Sequence, residues 1–208
     1  MQSNIVLSFD FSELSETARE HARNNYREYG LNDDWYSFLI DDWKKGLELL
    51  GIDASNIFFS GFWSQGDGAC FECFYSYRKG WRKALNSEFG GSLGGILLSA
   101  GERLQALQRP LFYRLIATVS QSGRYVHHYS TIFDVDPDGL FSYESAVGVE
   151  DELKEILRGL MEEIYSSLER EYNYLSSDSV IDECLQNDGL QFLESGEIYQ
   201  LKRCLRCD

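Results

Sequence analysis

The 208-residue chain has two prolines, Pro110 and Pro137, so no Pro-rich linker divides it. No apolar run approaches the ~20 residues that cross a bilayer as a helix, which argues against a membrane partner. The opening residues, MQSNIVLSFDFSELSE, lack a basic stretch followed by an apolar one, so no secretory signal is expected. Basic charge is scarce as well. Nineteen Lys and Arg face 34 Asp and Glu, for a formal net charge of −15. Such a chain repels a phosphate backbone, so direct nucleic-acid binding through counterion release is not expected. It is drawn instead to basic protein surfaces, although acidity also serves solubility alone. Disorder is excluded by a hydrophobic share of 43% and an aromatic share of 14%. Five cysteines, an odd number, together with the missing signal, imply reduced thiols in a cytoplasm.

The negative charge is uneven along the chain. Residues 1–60 carry 11 acids and 5 bases, residues 61–130 carry 4 acids and 8 bases, and residues 131–208 carry 19 acids and 6 bases. The flanks are therefore acidic and the middle mildly basic. The flanks also have helical periodicity. Phe11, Leu14, Ala18, Ala22 and Tyr29 recur on one stripe, with Ser12 or Ser15 as N-cap and Gly30 as the stop. A second helix is expected from about Asp34 to Gly51. The longest is expected over 149–174, its stripe formed by Leu153, Ile156, Leu157, Leu160, Ile164 and Leu168. A short helix is expected over 179–185. The middle predicts strands at 57–63, 69–77, 112–120 and 124–134, joined in pairs by SQGDG and QSG turns. GGSLGG (90–95) is expected to be a loop before a helix over 96–108. A last hairpin is expected around Ser195-Gly196. The pattern defines an α+β fold of one domain, residues 1–208: an antiparallel sheet of about four to six strands against several amphipathic helices. Its parts are helical (about 11–51), sheet-rich (about 56–135) and acidic-helical (about 149–188).

The most distinctive local feature is the loop 60–69. Gly66 and Gly68 flank Asp67, which permits positive φ and close backbone approach. Trp63, Ser64, Gln65, Gly66, Asp67 and Gly68 could hold a ligand or partner, or form a hairpin turn bonded within itself. The glycine spacing of a phosphate-binding loop is missing. Two CxxC pairs, Cys70/Cys73 and Cys204/Cys207, suggest zinc by spacing alone. However, Cys70 and Cys73 fall in a predicted strand, where residues three apart face opposite ways. No metal site and no cofactor is therefore assigned. His127 and His128 are adjacent in a predicted strand, and no catalytic group is assigned to them. Asp134 to Gly139 reads as a solvated acidic turn, because a calcium loop would need a Glu where Ser145 stands. Arg78, Lys79, Arg82 and Lys83 cluster beside Trp81, and their simplest use is pairing with the acidic helices.

The segment FSGFWSQGDGACFE (59–72) resembles a family of small proteins of tailed phages and prophages that carry an FxGFxSQGDGA segment. The family's helical start of the FxELSexAre kind is matched by Phe11–Glu20, and its DDWY-type helix start by Asp33–Tyr36. The resemblance covers the first third of the chain. It implies a phage or mobile-element origin and a host-cell cytoplasmic location, with no defined reaction. Its motif residues are Ser60, Gly61, Ser64, Gln65, Gly66, Asp67 and Gly68. Charge and resemblance together lead to one expectation: a counter-defence protein of the anti-CRISPR or anti-restriction type. It would dock acidic helical faces, possibly in imitation of nucleic acid, onto a basic host nuclease or effector. The expected contact residues are Asp33, Asp34, Asp41, Asp42, Glu150, Asp151, Glu152, Glu155, Glu162 and Glu163. Two alternatives stand beside it: a small-ligand binder or enzyme centred on the SQGDG loop, and an antitoxin-like regulatory protein.

Overall fold

The computed structural model describes residues 7–31, 34–136 and 143–199, and the chain groups into two compact units. The terminal unit comprises residues up to Trp35 and from Arg170 onward. It contains β1 (Phe9–Asp10), α1 (Glu16–Tyr29), α6 (Asp178–Asn187) and β6 (Gln191–Phe192). Ser15 is the N-cap of α1, its hydroxyl accepting from the Ala18 N–H at 3.2 Å. Phe11, Leu14, Ala18, Ala22, Ile181, Leu185 and Phe192 form this unit's core. Arg23 forks onto the Asp182 carboxylate at 2.7 and 2.9 Å, a two-point geometry that only a guanidinium provides. The C-terminal hairpin forms as expected, with Leu193 N–H donating to the Glu197 carbonyl at 2.8 Å.

The central unit, Tyr36–Glu169, holds α2 (Ser37–Leu49), β2 (Ile52–Phe59), β3 (Ala69–Ser76), α3 (Trp81–Glu88), α4 (Gly91–Gln108), β4 (Ile116–Gln121) and β5 (Thr131–Asp136). It also holds most of α5 (Tyr143–Leu175). The four strands form an antiparallel meander in the order β2-β3-β4-β5, which makes the fold α+β.

The sheet has two unlike faces. On one, Phe71, Cys73, Tyr75, Ala117 and Val119 are buried. Gln108 of α4 bonds Tyr75 on this face, and Arg158 of α5 lies over the Phe133 ring at 5.3 Å. On the other face the register aligns Asp53, Phe74, Thr118 and Asp134 in one row across all four strands. Beside it, Asn56 pairs with Glu72 and Ser120 with Ile132 on the same face. Phe74 (48% accessible), Ile116 (37%) and Ile132 (56%) stand exposed there.

Several boundaries differ from the sequence expectation. β2 begins at Ile52 rather than residue 57, and α5 begins at Tyr143 rather than 149. GGSLGG is not a loop: it forms the first turns of α4. Gly94 is buried there, and a β-carbon on it would lie 3.1 Å from the Phe89 carbonyl, so the glycine serves close packing. The strand expected at 112–120 starts at Ile116, because Phe112 (φ 52) and Tyr113 (φ 62) turn left-handed. This strained pair is held by the buried Gln108 amide. Its Nε2 donates to the Leu115 carbonyl at 2.8 Å, and its Oε1 accepts the Leu115 N–H at 3.2 Å. The strand expected at 124–134 is only Thr131–Asp136, which removes His127 and His128 from it. The same strand contains Asp134 and Asp136, which were expected in a turn. Residues 137–139 of that turn lie outside the described residues.

Gln108→Ala leaves the buried Leu115 N–H and C=O without their partners. It should lower unfolding free energy by about 2–4 kcal/mol, read from denaturant midpoints. A loss below about 0.5 kcal/mol would show that the turn holds without the amide.

Candidate functional site

The β2–β3 connection closes on itself. Asp67 Oδ2 accepts the backbone N–H of Ser64 at 2.7 Å and of Trp63 at 3.1 Å. Asp67 N–H returns to the Ser64 carbonyl at 3.0 Å, and Ser60 Oγ accepts the Gly68 N–H at 3.0 Å. These bonds hold the Asp67 carboxyl below the usual carboxylate range, the Ser64 N–H contributing most. Gly66 takes φ 114, and a β-carbon on Gly68 would sit 2.8 Å from His127 Cδ2. Both glycines therefore have the uses their positions suggest. Trp63 is 75% accessible, and Ser64 and Gln65 are exposed. The loop's carboxylate is occupied by the loop itself.

Beside the loop lies an open cavity of about 340 Å³, lined by Asp67, Gly68, His127, His128, Glu162 and Tyr165 among others. The two histidines do not face opposite ways as strand neighbours would. They sit in the β4–β5 turn with ring centroids 4.1 Å apart. His128 is buried, and its Nε2 lies 2.9 Å from Glu162 Oε1, an ion-pair distance without hydrogen-bond alignment. Burial pushes its pKa below the ordinary histidine value; His127 and Arg158 act in the same direction and Glu162 opposes them. Tyr165 donates its hydroxyl to the Gly61 carbonyl at 3.0 Å. The thiol nearest this cluster, Cys70, meets the His127 backbone, and burial pushes its pKa up to about 11. Cys73 is pushed up to about 12, also by burial. A neutral imidazole beside a carboxylate can accept a proton, but burial holds both thiols described above in the neutral form. Among the described residues no group of three or more His, Cys, Asp or Glu is placed to hold a metal ion. Cys204 and Cys207 lie outside them.

The ten acids expected to meet a partner fall into distinct groups. Asp33 lies outside the described residues. Asp34 is exposed in the terminal unit. On α5, Glu150 pairs with Lys154, and Arg103 spans Glu152 (2.8 Å) and Glu155 (2.9 Å). Glu162 faces His128. Among the described residues, Asp41 and Asp42 on α2 and Asp151 and Glu163 on α5 form no ion pair. Of the basic cluster, Arg78 pairs with Glu48 of the acidic helix α2 as expected, whereas Arg82 pairs with Glu102 of α4. The sequence reading missed Arg103 and Tyr165, and it placed Arg158 only among the bases that partly neutralise α5. Their i, i+3 and i+4 relations along α4 and α5 were visible, but not the facing of one helix toward the other.

The described residues thus define an α+β protein with a four-stranded antiparallel meander, a self-bonded hairpin loop and an acidic surface. The chain belongs to the family described as Domain of unknown function (DUF8835), whose profile matches residues 35–178, a span that contains the whole central unit. No curated protein and no solved structure matches it. No helix among the described residues is long and apolar enough to cross a membrane.

Two measurements test this geometry. His128 should titrate by NMR below the ordinary value of about 6.5, and Glu162→Gln should move it lower still, because the carboxylate that favours the imidazolium is gone. The unfolded chain then binds the proton more readily, so His128 removes stability as pH falls through the ordinary histidine range. A midpoint above that value would contradict the burial argument. Asp67→Asn should lower the melting temperature at neutral pH. The difference should vanish as pH falls through the depressed Asp67 pKa, since the wild-type carboxylate is then protonated too. A pH-independent difference would show that its charge does not hold the loop.

Proposed function

We propose that the protein is a non-enzymatic counter-defence protein, phage-encoded, that docks acidic surface onto a basic protein partner such as a host nuclease or defence effector. One observation carries this reading. After the internal ion pairs of α4 and α5 are formed, Asp41, Asp42, Asp151 and Glu163 remain unpaired in a chain of net charge −15. Unpaired surface carboxylates raise association rates with a basic partner and make them salt-sensitive. The phage setting rests on the resemblance at residues 59–72 and at the helical start. Glu150, Glu152, Glu155 and Glu162 already face cations or His128, so the proposed contact set omits them. The ligand-binding alternative loses one of its three polar side chains to the turn: Asp67 bonds the Trp63 and Ser64 N–H groups, while Ser64 and Gln65 stay exposed.

The test is charge reversal against a matched control. Asp41→Lys, Asp42→Lys, Asp151→Lys and Glu163→Lys together should weaken binding of a ten-arginine peptide about tenfold, or ~1.4 kcal/mol, at low salt. A control carrying four reversals on the terminal unit, at Glu171, Glu183, Asp188 and Glu194, should weaken it less. Equal losses in both would mean bulk charge with no docking surface, and binding indifferent to salt would also contradict the reading.

A further inference from the structure

The sheet contains an acidic surface that segment charges conceal. On the open face, strand residues Asp53, Glu72, Asp134 and Asp136 carry carboxylates, and no Lys or Arg occupies that face within the strands. Arg114 stands at its margin, just ahead of β4. Glu72 is held by neutral donors, with Asn56 Nδ2 at 3.1 Å and the Gln121 N–H at 3.4 Å, so its charge is positioned and not cancelled. Asp53 and Asp134 flank Phe74 and Thr118 in one row. Adjacent strands lie about 4.8 Å apart, so each carboxylate is within reach of a long cationic side chain centred on the Phe74 ring. Ile116 lies diagonal to Phe74, and Ile132 pairs with Ser120 on the same face.

An exposed sheet face usually alternates apolar-in with polar-out. Here three exposed large hydrophobics interrupt the outward positions. Carboxylates beside an exposed aromatic ring match one side chain best. A guanidinium can lie on the ring and fork onto a carboxylate in the same plane, whereas an ammonium offers neither the plane nor the fork. We infer that the open face of the β2–β5 sheet is a docking surface for an arginine-bearing protein segment with interspersed apolar residues. The inference rests on the basic-partner reading and names a further surface and side-chain chemistry for it. The helices cover the opposite face of the sheet, so this contact is separate from the Asp41, Asp42, Asp151 and Glu163 set.

The probe is a synthetic peptide of alternating arginine and leucine, with a lysine-for-arginine version beside it, titrated into the full chain at low salt. Methyl NMR should show the largest shifts at Ile116 and Ile132. Phe74→Ser and the pair Asp53→Asn with Asp134→Asn should each weaken binding at least fivefold, with the folded amide spectrum retained. The lysine peptide should bind several-fold more weakly. Two variants of different chemistry keep the test usable if either one is poorly folded. The proposal is overturned if the peptide leaves Ile116 and Ile132 unmoved, or if both variants bind it like the wild type. If binding then depends only on Asp41, Asp42, Asp151 and Glu163, the open-face site falls and the basic-partner reading stands. If neither set matters, both fall.

Discussion

Everything in the central unit depends on the burial of one face of β3. Phe71, Cys73 and Tyr75 are the middle of the sheet's covered side and are almost wholly removed from water. Each large apolar side chain buried in this way contributes about 1.5–3 kcal/mol. Because side chains in a strand alternate, burying that set forces Glu72 and Phe74 outward. β4 and β5 follow the same register, which places Thr118, Asp134 and Ile132 beside them. The open acidic face is thus a consequence of packing the other one. Gln108 ties the two levels together: it bonds Tyr75 within the core and fixes the strained turn that delivers β4 into register.

Electrostatics then divides the surface by use. Arg103, Lys154 and Arg158 are spent along α4 and α5, where they neutralise carboxylates or lie on aromatic rings. Such exposed pairs add little stability each. Their larger effect is to remove those acids from the set available to a partner. What remains negative is α2, part of α5 and the open sheet face. A surface arranged in this way favours an encounter with a basic protein over the phosphate backbone.

Much of the fold was legible in the sequence. The stripes of α1, α2, α5 and α6 follow from helical periodicity, and β3 and the SQGDG turn follow from aromatic runs bounded by glycine. The misreadings share a cause: single-residue turn and strand signals were overridden by packing and hydrogen bonds from residues a few positions away in the chain. Glycines at 90–95 signal a loop, yet Gly94 packs under Phe89 within a helix. Phe112 and Tyr113 have strand-forming side chains, but Gln108, four and five residues earlier, sets their backbone. For the site, the SQGDG loop offered two readings from the start, and the bonds to Asp67 favour the turn. The open face was hidden because residues 61–130 sum to a positive charge. Their bases lie in helices and turns while Glu72 points out of the sheet, joined by Asp53 and Asp134 from the neighbouring acidic segments. A sum along the chain cannot show which face a charge occupies.

The central claim is that the protein acts through carboxylate-bearing surface and not through the loop-side cavity. Hydrogen–deuterium exchange of the full chain, free and saturated with the arginine–leucine peptide, tests this most directly. Protection confined to α2, α5 and the β2–β5 strands, and lost at high salt, is the predicted result. Protection centred on residues 60–68 and the His127–His128 turn, and persisting at high salt, would contradict it.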